Sequence, residues 1–455
     1  MSRRLRSAVA PAYLFLCLTL GGSPQGVWGN AFLQLVGVAI IAWALVERRE
    51  EPLPRATRQL LAIIVLAILL VAIQLVPLPR DIWAALPGRE FVVQGFALLG
   101  IAPGAMPISL SPYDSLAASL ALLPPLGMLA ATLMLRAYTT VWLAVGLIAG
   151  AMAGVLLGIL QVSSPFPEQS PWYLYRVSNF GVATGFFANS NHMASLLLVT
   201  IPFVAAVGAS LRGRSTDVRA RSAGMAIAFS GLVLTILGLI LNQSLAGYGL
   251  GIPVVLASLL ILFGLPARWT SRALPAIGLA GIAAVALIWT SPISAQLDEI
   301  GTSTSVASRA RIAANSVDLA REFAPLGAGL GTYPKVYQLN EDPAAVDRWY
   351  VNHAHNDYLE LAVETGIPGI ALILIFLLWW GRQLWRMMRS PASDQFALAG
   401  AIATSAILIH SLVDYPLRTA AISVVFAMSL GMVLQSRRSA HSDQDFRPVR
   451  HVVVG

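Results

Sequence analysis

Stretches of about twenty apolar residues recur along most of this chain, and no other feature restricts its fold as strongly. In hydrocarbon every backbone N–H and C=O must be hydrogen-bonded within the protein, which leaves α-helices or a closed barrel. Runs of this length suit helices, because about twenty residues cross a core about 30 Å thick. Twelve spans are placed at roughly 8–22, 28–46, 59–77, 115–135, 141–161, 191–210, 223–241, 248–266, 273–290, 366–385, 395–413 and 417–435. Only 11% of the residues are charged, against about 25% in soluble domains. The expected fold is an all-α polytopic membrane protein with about twelve transmembrane helices. Ser2 to Arg6 followed by Ala8 to Leu20 has the look of a signal peptide. It lacks an Ala-x-Ala cleavage site and many spans follow, so it reads as an uncleaved first helix.

Orientation follows from arginine. With a cytoplasmic N-terminus, 21 of the 30 basic residues fall in inside segments, and every short inside loop is basic. The other nine are Arg80, Arg89, Arg176, Arg309, Arg311, Arg321, Lys335, Arg348 and Arg418. Twelve spans with both termini cytoplasmic satisfy this count. The chain then divides into spans one to nine (1–290, with outer loops 78–114 and 162–190), a large periplasmic loop (291–365), spans ten to twelve (366–436) and a cytoplasmic tail (437–455). The large loop holds ten acids and five bases, a net charge of −5 that speaks against nucleic acid there despite +8 overall. Outer loops this long are usually functional, although a plug or contact surface would also fit. The single cysteine, Cys17, excludes disulfides and cysteine-based metal sites.

Four polar clusters need an explanation. The first runs from Tyr173 to His192, with Arg176 outside the membrane and Asn189, Asn191 and His192 at the mouth of a span. Polar groups at this depth are expensive unless paired or facing a cavity; equally, Asn189 and Ser190 can cap the helix and Arg176 can meet lipid phosphate. The second runs from Ser303 to Tyr333. Ser303, Thr304 or Ser305 can cap a helix that ends near Phe323. Val306, Ala310, Ala313, Val317 and Ala320 predict one buried stripe. Arg309 borders that stripe, about 60° from its centre at about 100° per residue, whereas Arg311 lies opposite. Arg309 is the better candidate for a cation held in a pocket, where its planar fork suits phosphate. The following segment, Pro325 to Pro334, is glycine-rich, but its spacing is that of neither phosphate loop, so a tight loop is expected.

The third cluster, NHAHNDYLELAVETGIPG from Asn352 to Gly369, leads into the tenth span. If helical from about His353, it places His353, Asp357, Glu360 and Glu364 on one face, and His355, Leu359 and Ala362 on the other. The apolar residues mark the second face as buried, which turns His355 inward. Histidine titrates near neutrality and can take a proton from a hydroxyl; a backbone-satisfied histidine at a helix start is the alternative. His353 and Asp357 at i and i+4 could share a metal, but no third ligand is evident, so no metal is expected. The fourth cluster is HSLVDYPLR, His410 to Arg418. His410 and Asp414, one turn apart, can pair; a structural role is the favoured reading.

Together these segments resemble the O-antigen ligase and polymerase superfamily. His355, Asn356, Tyr358, Leu359, Glu364 and Gly366 are similar to its His-Asn-x-Tyr-Leu…Glu-x-Gly pattern. Gly185 to Ala194 is similar to its Gly-x-Phe-x-Asn-x-Asn-x-x-Ala pattern. Ser308 to Tyr333 resembles its Arg-led helix with Pro-Leu-x-Gly-x-Gly, and Gln74 to Arg89 resembles the segment after its third span. One departure stands out. The family often has a Ser-Arg pair after the seventh span, whereas Asn242 to Gly249 here has no arginine.

The resemblance implies a GT-C-like membrane enzyme of the bacterial inner membrane. It implies inverting, metal- and cofactor-independent glycosyl transfer on the periplasmic side from an undecaprenyl-pyrophosphate carrier. The acceptor would be lipid A core, a growing glycan or a protein. The catalytic candidates are His355 as base with Arg309 and Arg176 as fixed cations. Candidate substrate-binding residues are Asn189, Asn191, His192, Arg311, His353, Asn356, Tyr358 and Glu364. A transporter without bond chemistry is the competing class, and it would need ionisable residues deep in the spans, which are few here. A structural scaffold is the third class, for which clustered Arg and His would be superfluous.

Overall fold

The structure, a computed structural model, describes residues 3–47, 52–214, 218–264, 272–273, 275–283, 306–341, 351–389 and 394–445. Its helices are α1 (Arg3–Leu20), α2 (Val27–Val46), α3 (Arg55–Gln74), α4 (Arg80–Ala84), α5 (Glu90–Leu98), α6 (Pro112–Leu120), α7 (Leu123–Leu129), α8 (Thr140–Val162), α9 (Ser190–Arg214), α10 (Val218–Asn242) and α11 (Leu245–Phe263). They continue as α12 (Val306–Glu322), α13 (Tyr333–Asn340), α14 (Asp357–Met388), α15 (Gln395–His410) and α16 (Ala420–Asp445). Among the described residues the only sheet is a two-residue ladder, Pro77–Leu78 against Met106–Pro107.

Eight helices among these residues are long and apolar enough to cross a membrane, and the chain is an integral membrane protein. They match expected spans two to eight and ten. Span six, α9, has 83% of its apolar window buried and packs on α8, α10, α11 and α15, so it is the central helix. The last two expected spans are present as shorter apolar helices, 395–410 and 420–435. The first, α1, is helical but opens on three arginines; Tyr13, Leu14, Cys17 and Leu18 are buried, and it packs on α8, α2 and α16. The ninth expected span lies partly outside the described residues; of it, 275–283 is helical, with Gly281 beside Pro253.

Small residues let these helices approach closely, as expected where lipid is as apolar as the helix surface. A Cβ on Gly37 would lie 2.8 Å from Leu123 O, and one on Gly400 would lie 2.9 Å from Ser429 O. Side-chain caps fix helix starts: Ser244 Oγ accepts from Gly247 N, and Asp394 Oδ1 accepts from Phe396 N. The outward faces of α2, α3 and α10 keep large apolar side chains exposed, among them Leu35, Leu69 and Phe229.

The helix termini sort into two ends. At one, Arg6 bonds Leu135 O and pairs with Glu47 at 2.5 Å. At the other, Ala421 N bonds Gly21 O, Ala183 N bonds Leu241 O, and Asp357 N bonds Ser411 O. The second end carries the long connections and all four polar clusters.

The glycine-rich loop after α12 is the node of that end. Gly327, Gly329 and Gly331 all have positive φ. Ala328 N and Gly329 N bond the carbonyls of Val363 and Glu364, Leu330 N bonds Gln74 Oε1, and Gly331 N bonds Glu364 Oε1. Arg89 Nη2 holds Ile108 O at 2.5 Å and Gly327 O at 3.2 Å. Its N–H groups are spent inside the protein, so the loop cradles no phosphate. Gln74 and Arg89, the two ends of the segment after the third span, both grip it.

Candidate active site

Three segments converge at this end: residues 351–360, the start of α9, and the turn from His410 to Arg418. The first and third are stitched together by side-chain hydrogen bonds. Ser411 Oγ donates to Asp357 Oδ2 at 2.8 Å, Asn356 Nδ2 to Leu412 O at 2.9 Å, and Tyr358 OH to Leu408 O at 2.7 Å.

Tyr415 is the centre of the cluster. Its ring centroid lies 4.0 Å from that of His353 at 30°, 4.8 Å from His192 at 86° and 5.2 Å from His355 at 68°. Asn189 Nδ2 donates to its hydroxyl at 3.3 Å. Burial, with Asp414 beside it, pushes the phenol above its ordinary range, so it stays a neutral group.

On one side of Tyr415 lie His355 and Asp414. His355 has φ +50°, a left-handed conformation that costs a non-glycine residue of order 1 kcal/mol or more and recurs at functional sites. The turn brings Nδ1 to 3.4 Å from Asp414 Oδ1. Nδ1 is buried, so the 11% of this side chain that stays accessible lies elsewhere on the ring. Burial alone would raise the Asp414 carboxyl, but His355, His192 and Arg309 together hold it well below the usual carboxylate range. Arg309, half-buried on α12, reaches this charge and keeps a buried Nε without a partner.

On the other side one arginine gathers three buried acids. Arg418 lies 2.9 Å from Glu364, 3.4 Å from Glu360 and 3.7 Å from Asp357. Burial alone would lower its pKa, but the three carboxylates raise it above the ordinary value. Glu360 also takes His353 Nδ1 at 2.8 Å and Ala354 N at 2.9 Å, so the network fixes the loop that bears both histidines.

The structure corrects several expectations. The helix begins at Asp357, capped by Asn356, and not at His353; residues 353–355 are extended and turned. Asp357, Glu360 and Glu364 do share a face, but that acidic face is the fully buried one, because Arg418 neutralises it, while Leu359 and Ala362 are half-buried. His355 points inward through its left-handed turn and not through a helix face. α14 runs on to Met388 through a break at Gly366, φ 58° and ψ −152°. The buried stripe of α12 is Ile312, Ser316, Leu319 and Phe323; Ala310 and Val317 are exposed. The stripe is rotated because Ser316 is satisfied inside by Tyr333 at 2.7 Å. Arg309 lies on the i−3 continuation of this stripe, and Arg311 is exposed. The capping residues proposed for α12, Ser303, Thr304 and Ser305, lie outside the described residues.

His410 does not pair with Asp414 through its ring; its Nδ1 meets Ser195 Oγ at 2.8 Å, and only its carbonyl accepts Asp414 N. Arg176 is exposed on the loop whose Ser178 bonds Ala188 O. His192 is buried with a free Nε2. Asn189 and Asn191 are half-buried, and Asn191 Oδ1 accepts from Ser244 Oγ. Thus the segment that lacks an arginine, Asn242 to Gly249, still touches the cluster. Glu364 commits both oxygens internally, to Arg418 and Gly331 N. The sequence reading undervalued Asp414 and assigned no role to Tyr415 or Arg418. The available signal was the density of polar residues in HSLVDYPLR at the end of a span. Among the described residues, no group of three His, Cys, Asp or Glu is placed to hold a metal.

A multi-helix membrane protein with a His–Asp–Arg cluster at one end of its bundle is the class that this geometry defines. Residues 230–374 match the family model described as O-antigen ligase, and this match supports the likeness to the O-antigen ligase and polymerase superfamily over that segment. The segment spans α10 to the first half of α14, including Arg309 and His355, and stops short of Asp414, Tyr415 and Arg418. No curated protein matches the chain. The family supports a glycan-transferring membrane enzyme.

Proposed function

We propose that the protein transfers a glycan from an undecaprenyl-pyrophosphate carrier to an acceptor hydroxyl at the periplasmic face of a bacterial inner membrane, with inversion and without metal. The observation that carries this reading is the pairing of His355 with Asp414 beside Arg309. With Nδ1–H turned to Asp414, the other ring nitrogen, Nε2, is left to accept a proton. The acceptor oxygen attacks the anomeric carbon as its proton passes to Nε2. The bond from that carbon to the pyrophosphate oxygen breaks, and the carrier leaves with the electron pair. Arg309, whose buried Nε has no protein partner, meets the developing phosphate charge, and Arg176 supplies a second cation from the loop above.

His353 and Asn189 border the reacting sugar. His192, Asn191, Asn356, Tyr358 and Glu364 hold the frame, and Arg311 meets the glycan farther out. The arginine asymmetry between loops supports the periplasmic side.

The test is a reconstituted assay with purified protein, a lipid-pyrophosphate oligosaccharide and several acceptors. Wild type is expected to transfer and His355→Ala to lose about 100-fold or more, the usual contribution of a general base. Normal transfer by well-folded His355→Ala protein would overturn the base assignment. Passage of the lipid-linked sugar across the bilayer without any glycosylated acceptor would point to a transporter instead.

A further inference from the structure

The connection between α3 and α6 has no role in the proposed reaction, yet it carries the least explained surface of the site's end. No residue of α5 is buried. Phe91, Leu98, Leu99 and Ile101 are 64%, 89%, 71% and 56% exposed. At about 100° per residue, Ala97, Glu90 and Gln94 fill one narrow arc. Val92, Val93, Phe96 and Leu99 continue the arc of Phe91 and Leu98 around the rest of the helix, leaving more than half its circumference apolar. Twelve residues, 90–101, are too few to cross a bilayer, and an apolar segment of that length is either packed in a core or interfacial. This one is not packed in a core.

Its surroundings name the occupant. The outward face of α3, a helix apolar enough to span the membrane, exposes Leu69, Ile73 and then Val76, and Ile82 of α4 extends the strip. Arg80 and Asp81, both exposed, interrupt it at the point where the chain leaves the span, which is headgroup level. The apolar surface then resumes in α5. Arg89, immediately before α5, is buried, bonded to Gly327 O, with its guanidinium 5.6 Å from the Phe323 ring. The helix is thus clamped to the C-terminal end of α12, which bears Arg309.

We propose that residues 90–101 lie in the plane of the membrane, bedded among the acyl chains of the leaflet on the site's side, and that through Arg89 this bed sets the height of α12 over the bilayer. The inference rests on the membrane reading of the fold and not on the proposed reaction, so it can fail or stand independently of glycosyl transfer.

The experiment uses the full chain. Its one cysteine, Cys17, is buried, so an introduced thiol can be labelled selectively. Leu98→Cys, Phe91→Cys and, as a control on the exposed face of α12, Asp318→Cys are labelled with an environment-sensitive nitrobenzoxadiazole. The proteins are reconstituted in phosphatidylethanolamine–phosphatidylglycerol vesicles with plain or brominated acyl chains. Labels at 98 and 91 are expected to emit to the blue of the label at 318 and to lose most of their fluorescence in brominated vesicles, with little effect of aqueous iodide. Quenching at 98 and 91 by iodide and not by bromine overturns the proposal. So does protection from both quenchers with cross-linking to a second copy by a bifunctional thiol reagent, which would make the surface a contact between chains.

Discussion

Removal of Arg418 should unfold the site's end before it affects any chemistry. Its guanidinium makes one close charge-assisted hydrogen bond, 2.9 Å to Glu364, and lies 3.4 Å from Glu360 and 3.7 Å from Asp357. The side chains of these acids are 0%, 1% and 4% exposed. Deleting one partner of a buried pair costs about 3–5 kcal/mol, because the stranded charge costs more than the lost attraction. Glu360 retains His353 and Asp357 retains Ser411, so the loss should stay within that range instead of tripling. At about 2 °C per kcal/mol for a large chain, Arg418→Met should lower the apparent melting temperature by roughly 6–10 °C. Size-exclusion thermostability in detergent reads this directly. Neutralising the stranded acid should recover part of it: Arg418→Met with Glu364→Gln should melt above Arg418→Met alone, with a coupling of about 1–3 kcal/mol. Strict additivity, or a drop of under about 2 °C for Arg418→Met, would refute the network as the clamp of the histidine loop.

Other expectations follow from the same geometry. Asp414→Asn should cut transfer about 100-fold while the protein accumulates, because His355 loses the group that orients its tautomer. Asp414 is also a stability group. Its folded pKa is depressed, so its contribution is fully present above the ordinary carboxylate value of about 4 and fades as pH falls through the folded value. The melting difference between wild type and Asp414→Asn should therefore shrink as pH falls below about 4. Arg309→Lys should keep a small part of the activity that Arg309→Ala loses, since an ammonium cannot donate two parallel bonds to a phosphate; full activity in either would remove Arg309 from the site. Gly366→Ala should prevent accumulation of folded protein, because its φ of 58° with ψ of −152° is a conformation essentially restricted to glycine and a Cβ there would collide with Pro325 O.

The membrane-spanning helices were legible because a run of twenty apolar residues has one physical outcome in a bilayer. Helix boundaries and buried faces near the site were not. Rules of periodicity assume that apolar residues turn inward, and in α14 the inward face is Asp357, Glu360 and Glu364. It became the inward face only because Arg418, 54 to 61 positions later in the sequence, supplies the compensating charge. His355 was placed correctly for the wrong reason: its inward direction comes from a left-handed turn that no sequence rule flags outside glycine and asparagine. Asp414 and Tyr415 were visible as unusual polar residues at a span end, but a pairing of His410 with Asp414 at one helical turn drew attention away from the longer-range partner.

This pattern has a mechanistic consequence. The groups around His355 are held from separate segments of the chain: His355 by Asp414 after α15, its loop by Glu360 on α14, and Tyr415 by Asn189 before α9. The site therefore exists only when the bundle is closed, and its precision depends on helix packing instead of on one rigid loop. Arg309 is the exception. It arrives on α12, whose far end is held by the glycine loop, Gln74 and Arg89, outside the bundle core. That loop is in turn bonded to Val363 and Glu364 of α14, the helix whose Glu360 holds the histidine loop, so the cation-bearing helix and the base are tied to one element.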